Sequence, residues 1–316
     1  MNHADGRATE TGPTIAMPEI DIATAWEAIA DEIPDADALI HGDVVRSWAD
    51  FESRAARVAG HLVAAGLGPD DKVAFYLHNG TEYLEATFGA FKARCVPVNV
   101  NYRYLEAELA YLLDNSDAAA VVVSAELVDR LGAVLGQLPA VRTVLVVGAT
   151  DEHPVPDGSS APWDLAAGVD DYDSAVAAAE PMARIARSAD DLWFLYTGGT
   201  TGMPKGVMWP HRSLIGTSAA TFRVIRSEVP STAEGFAAAA RTFHDTGRAI
   251  RLLAAAPLMH GTGVWLGAMI PQLTGATVVT LESRSLDPHE VLTGFADRTD
   301  RLLRLVEAFM PECRWL

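Results

Sequence analysis

One stretch concentrates residue types that bind anions: Tyr196-Thr197-Gly198-Gly199-Thr200-Thr201-Gly202-Met203-Pro204-Lys205-Gly206. Glycine lets a backbone take left-handed φ angles and approach a ligand closely. Successive backbone N–H groups then form a concave donor surface. The threonine hydroxyls add donors, and Lys205 adds a compact positive charge. The apolar run Leu192-Trp193-Phe194-Leu195 precedes this stretch, so the loop is expected to hang from a buried strand. A polyphosphate is the ligand such a loop suits. A turn alone requires neither three hydroxyls nor a lysine.

The spacing excludes two familiar phosphate loops. A Walker A loop ends Gly-Lys-Ser/Thr, whereas Lys205 lies between Pro204 and Gly206. The dinucleotide fingerprint fails on the spacing of Gly198, Gly199 and Gly202. A second candidate is His260 in Pro257-Leu258-Met259-His260-Gly261-Thr262-Gly263, where the two glycines are expected to leave open space beside the ring. Met259, Trp265 and Met269 are either the lining of a lipophilic channel or plain core. His211 is read as either a structural cap or a catalytic group, and Arg103 as a structural ion-pair partner.

The elements that must position these residues alternate helical and strand patterns. A helix is expected over 54–65 with Val58, Leu62 and Val63 on one side, ending near Gly66. Strands are expected over 72–77, 96–100, 118–123, 141–147, 192–196 and 276–281. Helices are expected over 82–92 and around Leu105, Leu109, Leu112 and Leu113. Residues 148–190 read as a long connection with one short helix. This succession implies βαβ units and an α/β fold of parallel sheets flanked by helices.

With 316 residues, 49% hydrophobic and 21% charged, the chain can bury a large core. Its formal net charge of −18 argues against nucleic acid as a partner, because phosphates would be repelled. Two cysteines, Cys95 and Cys313, form neither a disulfide framework nor a zinc pattern, and no residue is assigned to a metal. Cys95 reads as a small buried apolar residue. No run reaches transmembrane length, and the expected location is cytoplasmic. The sequence leaves the oligomeric state open.

At Thr197–Gly206 the chain resembles the signature loop of the adenylate-forming (AMP-binding) superfamily. Val207-Met208-Trp209-Pro210-His211, the block Val96–Tyr104 and Glu108–Ser116 are similar to its fatty-acyl and steroid side-chain acyl-CoA synthetase branch, and Pro257–Gly263 resembles the superfamily's next core motif. The resemblance implies that a carboxylate attacks the α-phosphorus of ATP, with Mg²⁺, giving acyl-AMP and pyrophosphate. Coenzyme A then displaces AMP to give a thioester of a lipophilic carboxylic acid. It assigns Thr197, Gly198, Gly199, Thr200, Thr201, Gly202 and Lys205 to the β- and γ-phosphates, and His260 to the acyl pocket beside the reacting carboxylate. It further implies a flexible leader over 1–21, a partial large N-terminal domain over 22–293, and a divergent helical tail over 294–316. The small C-terminal domain with its catalytic lysine is not found, so a truncated form with impaired activity is the expectation. Two alternatives stay open: an acyl-AMP ligase feeding a carrier protein, and a catalytically inactive fragment or binding module.

Overall fold

The computed structural model describes residues 19–198, 203–284, 287, 288, 290 and 291. The chain enters at α1 (Ile22–Glu32), where the Asp21 carboxylate accepts the Thr24 N–H at 2.9 Å. A hairpin of β1 (Asp37–His41) and β2 (Val44–Ser47) leads into α2 (Trp48–Ala64). That helix begins at Trp48 rather than at residue 54. Ser47 Oγ accepts the Asp50 N–H at 3.0 Å, and the Asp50 carboxylate accepts the Ser47 N–H at 3.3 Å. This capping box uses Asp where Glu or Gln is usual. The buried positions Trp48, Phe51, Ala55, Val58 and Leu62 set the helix phase and leave Val63 exposed, not inward as expected. The helix gives way at Gly66, whose φ of +80° is left-handed.

The βαβ units follow in order: β3 (Lys72–Tyr76), α3 (Thr81–Lys92), β4 (Val96–Asn99), α4 (Glu106–Asn115), β5 (Ala118–Ser124), α5 (Val128–Leu135), β6 (Thr143–Val147), β7 (Val169–Asp171) and α6 (Tyr172–Ala178). Next come β8 (Leu192–Thr197), β9 (Lys205–Pro210), α7 (His211–Thr217), α8 (Ala219–Val224), α9 (Ala233–Asp245) and β10 (Arg251–Ala254). A π-helical segment (Thr262–Met269), the short α10 (Ile270–Gln272) and β11 (Thr277–Thr280) close the described fold.

Two sheets result. One has seven strands in the order β7-β6-β5-β3-β4-β8-β9, parallel except for the edge strand β9. The other has four strands in the order β10-β11-β1-β2, with only β2 antiparallel. The parallel strands read as continuous apolar runs because helices cover both faces: all seven residues of β5 are buried. Between α2 and α3 a Cβ at Gly89 would lie 2.6 Å from Val58, so glycine is what lets these two helices approach. Trp26 packs on Phe51, Phe88 and Phe91 with centroids 5.7, 5.2 and 6.1 Å away. No helix among the described residues is long and apolar enough to cross a membrane.

Buried charges tie the segment before β8 onto this core. Lys92 Nζ donates to Glu27 at 2.6 Å and to Glu52 at 2.7 Å, while Arg187 reaches Glu27 at 2.9 Å. Arg94 grips Asp191 with two bonds of 2.9 and 2.7 Å. The start of β8 is therefore anchored to α1, α2 and α3 before the glycine loop begins.

Candidate functional site

β8 and β9 pair antiparallel, with Thr197 directly opposite Lys205. The glycine stretch thus lies between two antiparallel strands, whereas a Walker A loop lies between a strand and a helix. Thr197, Gly198 and Lys205 are exposed around its mouth, whereas Pro204 is buried. A Cβ at Gly198 would meet nothing within 4 Å, so the backbone there borders open space. Lys205 makes no ion pair among the described residues. Gly199, Thr200, Thr201 and Gly202 lie outside the described residues, as does Cys313.

The hairpin root is held from beneath. The buried Tyr196 donates its hydroxyl to Asn115 Oδ1 at 2.9 Å, and a Cβ at Gly206 would sit 2.8 Å from its ring. Gly206 is therefore required by the tyrosine beneath it. Asn99, 3% exposed at the end of β4, exchanges bonds with the Tyr196 backbone: Oδ1 accepts the N–H at 2.6 Å and Nδ2 donates to the carbonyl at 3.1 Å. The same Nδ2 donates to the Met259 carbonyl at 2.6 Å. Asn79 Oδ1 accepts the Leu258 N–H at 2.8 Å. Two asparagines thereby hold the segment that carries His260. Neither was singled out in the sequence; the available signal was an asparagine closing an apolar strand run.

His260 is exposed at the start of the π-helical segment, and its carbonyl accepts the Val264 N–H at 2.9 Å. Partial burial and the nearby Arg103 guanidinium hold its imidazole below the ordinary histidine range, so it is neutral at pH 7. The glycines beside it do not leave open space. A Cβ at Gly263 would overlap the Pro257 carbonyl oxygen, and one at Gly261 would lie 3.0 Å from Leu195. They serve close backbone approach. The π-helical turn they permit is a rare geometry.

Other residues are placed differently from, or more sharply than, their sequence readings. Arg103 is exposed over the Tyr102 ring, 5.9 Å from its centroid, and forms no ion pair among the described residues. His211 begins α7 in the core, 1% exposed, with its ring 4.5 Å from Phe91. Its Nδ1 accepts the Ile22 N–H at 3.3 Å, which leaves the proton on Nε2. Burial drives its pKa down to about 3, a structural and not a catalytic environment. Met259 and Met269 are core at 2% and 0% exposure, while Trp265 is half-buried between Trp209 and Trp193 at 5.2 and 6.0 Å. Cys95 is buried as expected, and desolvation pushes its thiol up to about 12.

A cleft of about 180 Å³ opens at the carboxyl ends of the parallel strands, lined by His78, Asn79, Tyr102, Arg103, Pro257 and Arg284 among others. Ligands of open α/β sheets bind at these ends, where strand order reverses. Here the reversal falls between β3 and β5.

An antiparallel hairpin with an exposed lysine, tied through Asn99 to the segment that carries His260, is set in an α/β fold. The model of the AMP-binding enzyme family matches residues 26–300, and the chain belongs to that family. The medium/long-chain-fatty-acid–CoA/3-oxocholest-4-en-26-oate–CoA ligase of Mycobacterium marinum is 42% identical over 219 residues, 66% of this chain and 38% of that protein. The medium-chain acyl-CoA ligase Mig of Mycobacterium avium is 34% identical over 80% of this chain and 46% of its own length. The chain thus spans less than half the length of these relatives. In fold it is similar to an anthranilate CoA ligase in complex with anthranoyl-AMP (TM-score 0.72, 19% identity, 88% of this chain and 48% of that one). A benzoate CoA ligase from Burkholderia xenovorans is similar at a TM-score of 0.67 and 20% identity, with 88% and 48% covered.

Proposed function

We propose that the chain carries the polyphosphate-binding half of an ATP-dependent acid–thiol ligase site. The lipophilic carboxylic acid, a fatty acid or a steroid side-chain acid, is converted to its acyl-AMP and then to its CoA thioester. One observation carries the reading: the register sets Lys205 opposite Thr197 at the mouth of the glycine hairpin, with open space at Gly198. The names of the curated relatives support the substrate class and coenzyme A as acceptor.

An anionic carboxylate must approach a triphosphate of high negative charge. Lys205 and the Thr197 hydroxyl, with the backbone and hydroxyls of Gly198, Gly199, Thr200, Thr201 and Gly202, would hold the β- and γ-phosphates. Donors fixed in advance lower the barrier without reorganising, and each typically contributes ~3 kcal/mol. When bound, Mg²⁺ neutralises phosphate charge; no described residue is assigned to it. His260, neutral at pH 7, would orient the acid through a hydrogen bond without adding a charge.

The test is acid-dependent exchange of pyrophosphate into ATP by the purified chain, with medium-chain, long-chain and steroid side-chain acids. Because the chain carries only the polyphosphate-binding half, the expected result is little exchange, with whatever acid-dependent exchange occurs abolished in Lys205→Ala. Exchange that ignores the acid, or that survives in Lys205→Ala, would reject the adenylating reading. Replacing CoA by a phosphopantetheinyl carrier protein in a thioester assay separates the CoA ligase from a carrier-loading acyl-AMP ligase.

A further inference from the structure

We infer that Asn99 is a positioning residue that couples the root of the glycine hairpin to the segment bearing His260. The pairing of β4 with β8 rests on the single register pair Val98↔Phe194. One residue further along β4, the Asn99 side chain takes over from the ladder. Its Oδ1 and Nδ2 bond the N–H and carbonyl of Tyr196 at 2.6 and 3.1 Å, as an adjacent strand would. Tyr196 immediately precedes Thr197, the first residue of the proposed phosphate cradle. The second Nδ2 hydrogen reaches the Met259 carbonyl at 2.6 Å, immediately before His260. One carboxamide therefore spans the two motifs.

The geometry leaves little slack. At 3% exposure the carboxamide has no competing water, so each bond lost exposes an unpaired backbone group to an apolar interior. No other residue type reproduces the pattern at this length. Aspartate offers acceptors only and would face two carbonyl oxygens, while leucine offers nothing. The neighbours reinforce a fixed anchor: the Tyr196 hydroxyl is tied to Asn115, and Leu258 N–H to Asn79. A shift in either motif is thus transmitted to the other through a single side chain. The consequence for the reaction is that the separation between triphosphate and carboxylate is set from beneath, by a residue that touches neither. This consequence rests on the proposed function; the mechanical coupling does not.

Hydrogen exchange read by mass spectrometry on the full chain, with parallel titrations of Mg·ATP, tests both halves. In Asn99→Ala, peptides covering 192–197 and 258–264 should exchange faster together, by about tenfold for the loss of buried bonds. In Asn99→Asp, the Tyr196 N–H keeps its acceptor while the Met259 carbonyl loses its donor, so 258–264 should loosen more than 192–197. Thr87→Val, which removes the buried 2.7 Å bond from Thr87 to the Tyr83 carbonyl, is the control and should leave both peptides unchanged. Mg·ATP affinity should fall in both Asn99 variants and hold in the control. Movement of one peptide alone in Asn99→Ala, or equal movement in Thr87→Val, overturns the coupling. If Asn99→Ala does not fold, the wild-type chain decides: in low denaturant the two peptides should open along one common isotherm, and separate isotherms overturn the inference. Unchanged Mg·ATP affinity in Asn99→Ala overturns the positioning role. Absence of Mg·ATP binding by the wild type instead overturns the phosphate-site reading, whatever the exchange data show.

Discussion

Acidification should destabilise this protein through one identifiable side chain, His211. Its Nδ1 is occupied by the Ile22 N–H, so a proton added there would meet a donor. The ring lies against Phe91 in the core, where burial opposes protonation; the Asp191 charge offsets this in part, and the smaller effect of Arg187 adds to the opposition. The native pKa is about 3, whereas the unfolded chain titrates near 6.5. The folded value is depressed, so the unfolded chain binds the extra proton. The stability His211 permits is full above about pH 6.5 and is lost as pH falls toward 3. Each pH unit within that window removes about 1.4 kcal/mol, so a drop of two units removes roughly 2–3 kcal/mol. Urea unfolding of the wild type and His211→Gln at about pH 7, 5.5 and 4.5 isolates this effect, because carboxylate titrations are common to both proteins. Glutamine can still accept the Ile22 N–H but does not titrate. The variant should be less stable near neutrality and should close the gap by roughly 2 kcal/mol on the acid side. Parallel pH curves would refute the assignment of His211 as a neutral core group.

Two further substitutions test the supports of the site. Lys92→Met removes the buried ammonium from between Glu27 and Glu52, which keep Arg187 and the more exposed Arg184, and should cost about 2 kcal/mol in urea unfolding. Gly263→Ala drives a methyl into the Pro257 carbonyl and should cost about 1–3 kcal/mol, read as a lowered thermal midpoint; an unchanged midpoint would show that the π-helical turn is not held by that close approach.

The strands that could be read in the sequence were those buried on both faces. Ala118–Ser124 and Val96–Asn99 are buried at every position, so their apolar runs can be identified without knowing their partners. The short helix expected between 148 and 190 is α6, which Asp171 caps at the Ser174 N–H. The hairpin β1–β2 and the edge strand β9 were harder to see. Their outward residues, Val44, Val45, Val207 and Met208, are exposed apolar groups that break the alternation expected of a half-buried strand. The start of α2 was missed because its capping box ends in Asp50. At the site, composition alone identified the glycine stretch, since its chemistry is local. What the sequence could not reveal was that Lys205 stands opposite Thr197 across a hairpin, or that Asn99 joins residues 97 and 160 positions away. Such contacts are made by the sheet. The role of Arg103 was misjudged for the same reason: no sequence pattern shows whether a carboxylate faces it.

The central claim is that the exposed Lys205 and its glycine hairpin hold a triphosphate. Calorimetric titration of the purified chain with Mg·ATP, beside Lys205→Ala and the exposed control Arg223→Ala, tests it directly. The wild type and the control should bind saturably. Lys205→Ala should lose about tenfold or more in affinity, as expected for one charge-assisted contact. Equal affinity in the Lys205 variant, or no binding by the wild type, would contradict it.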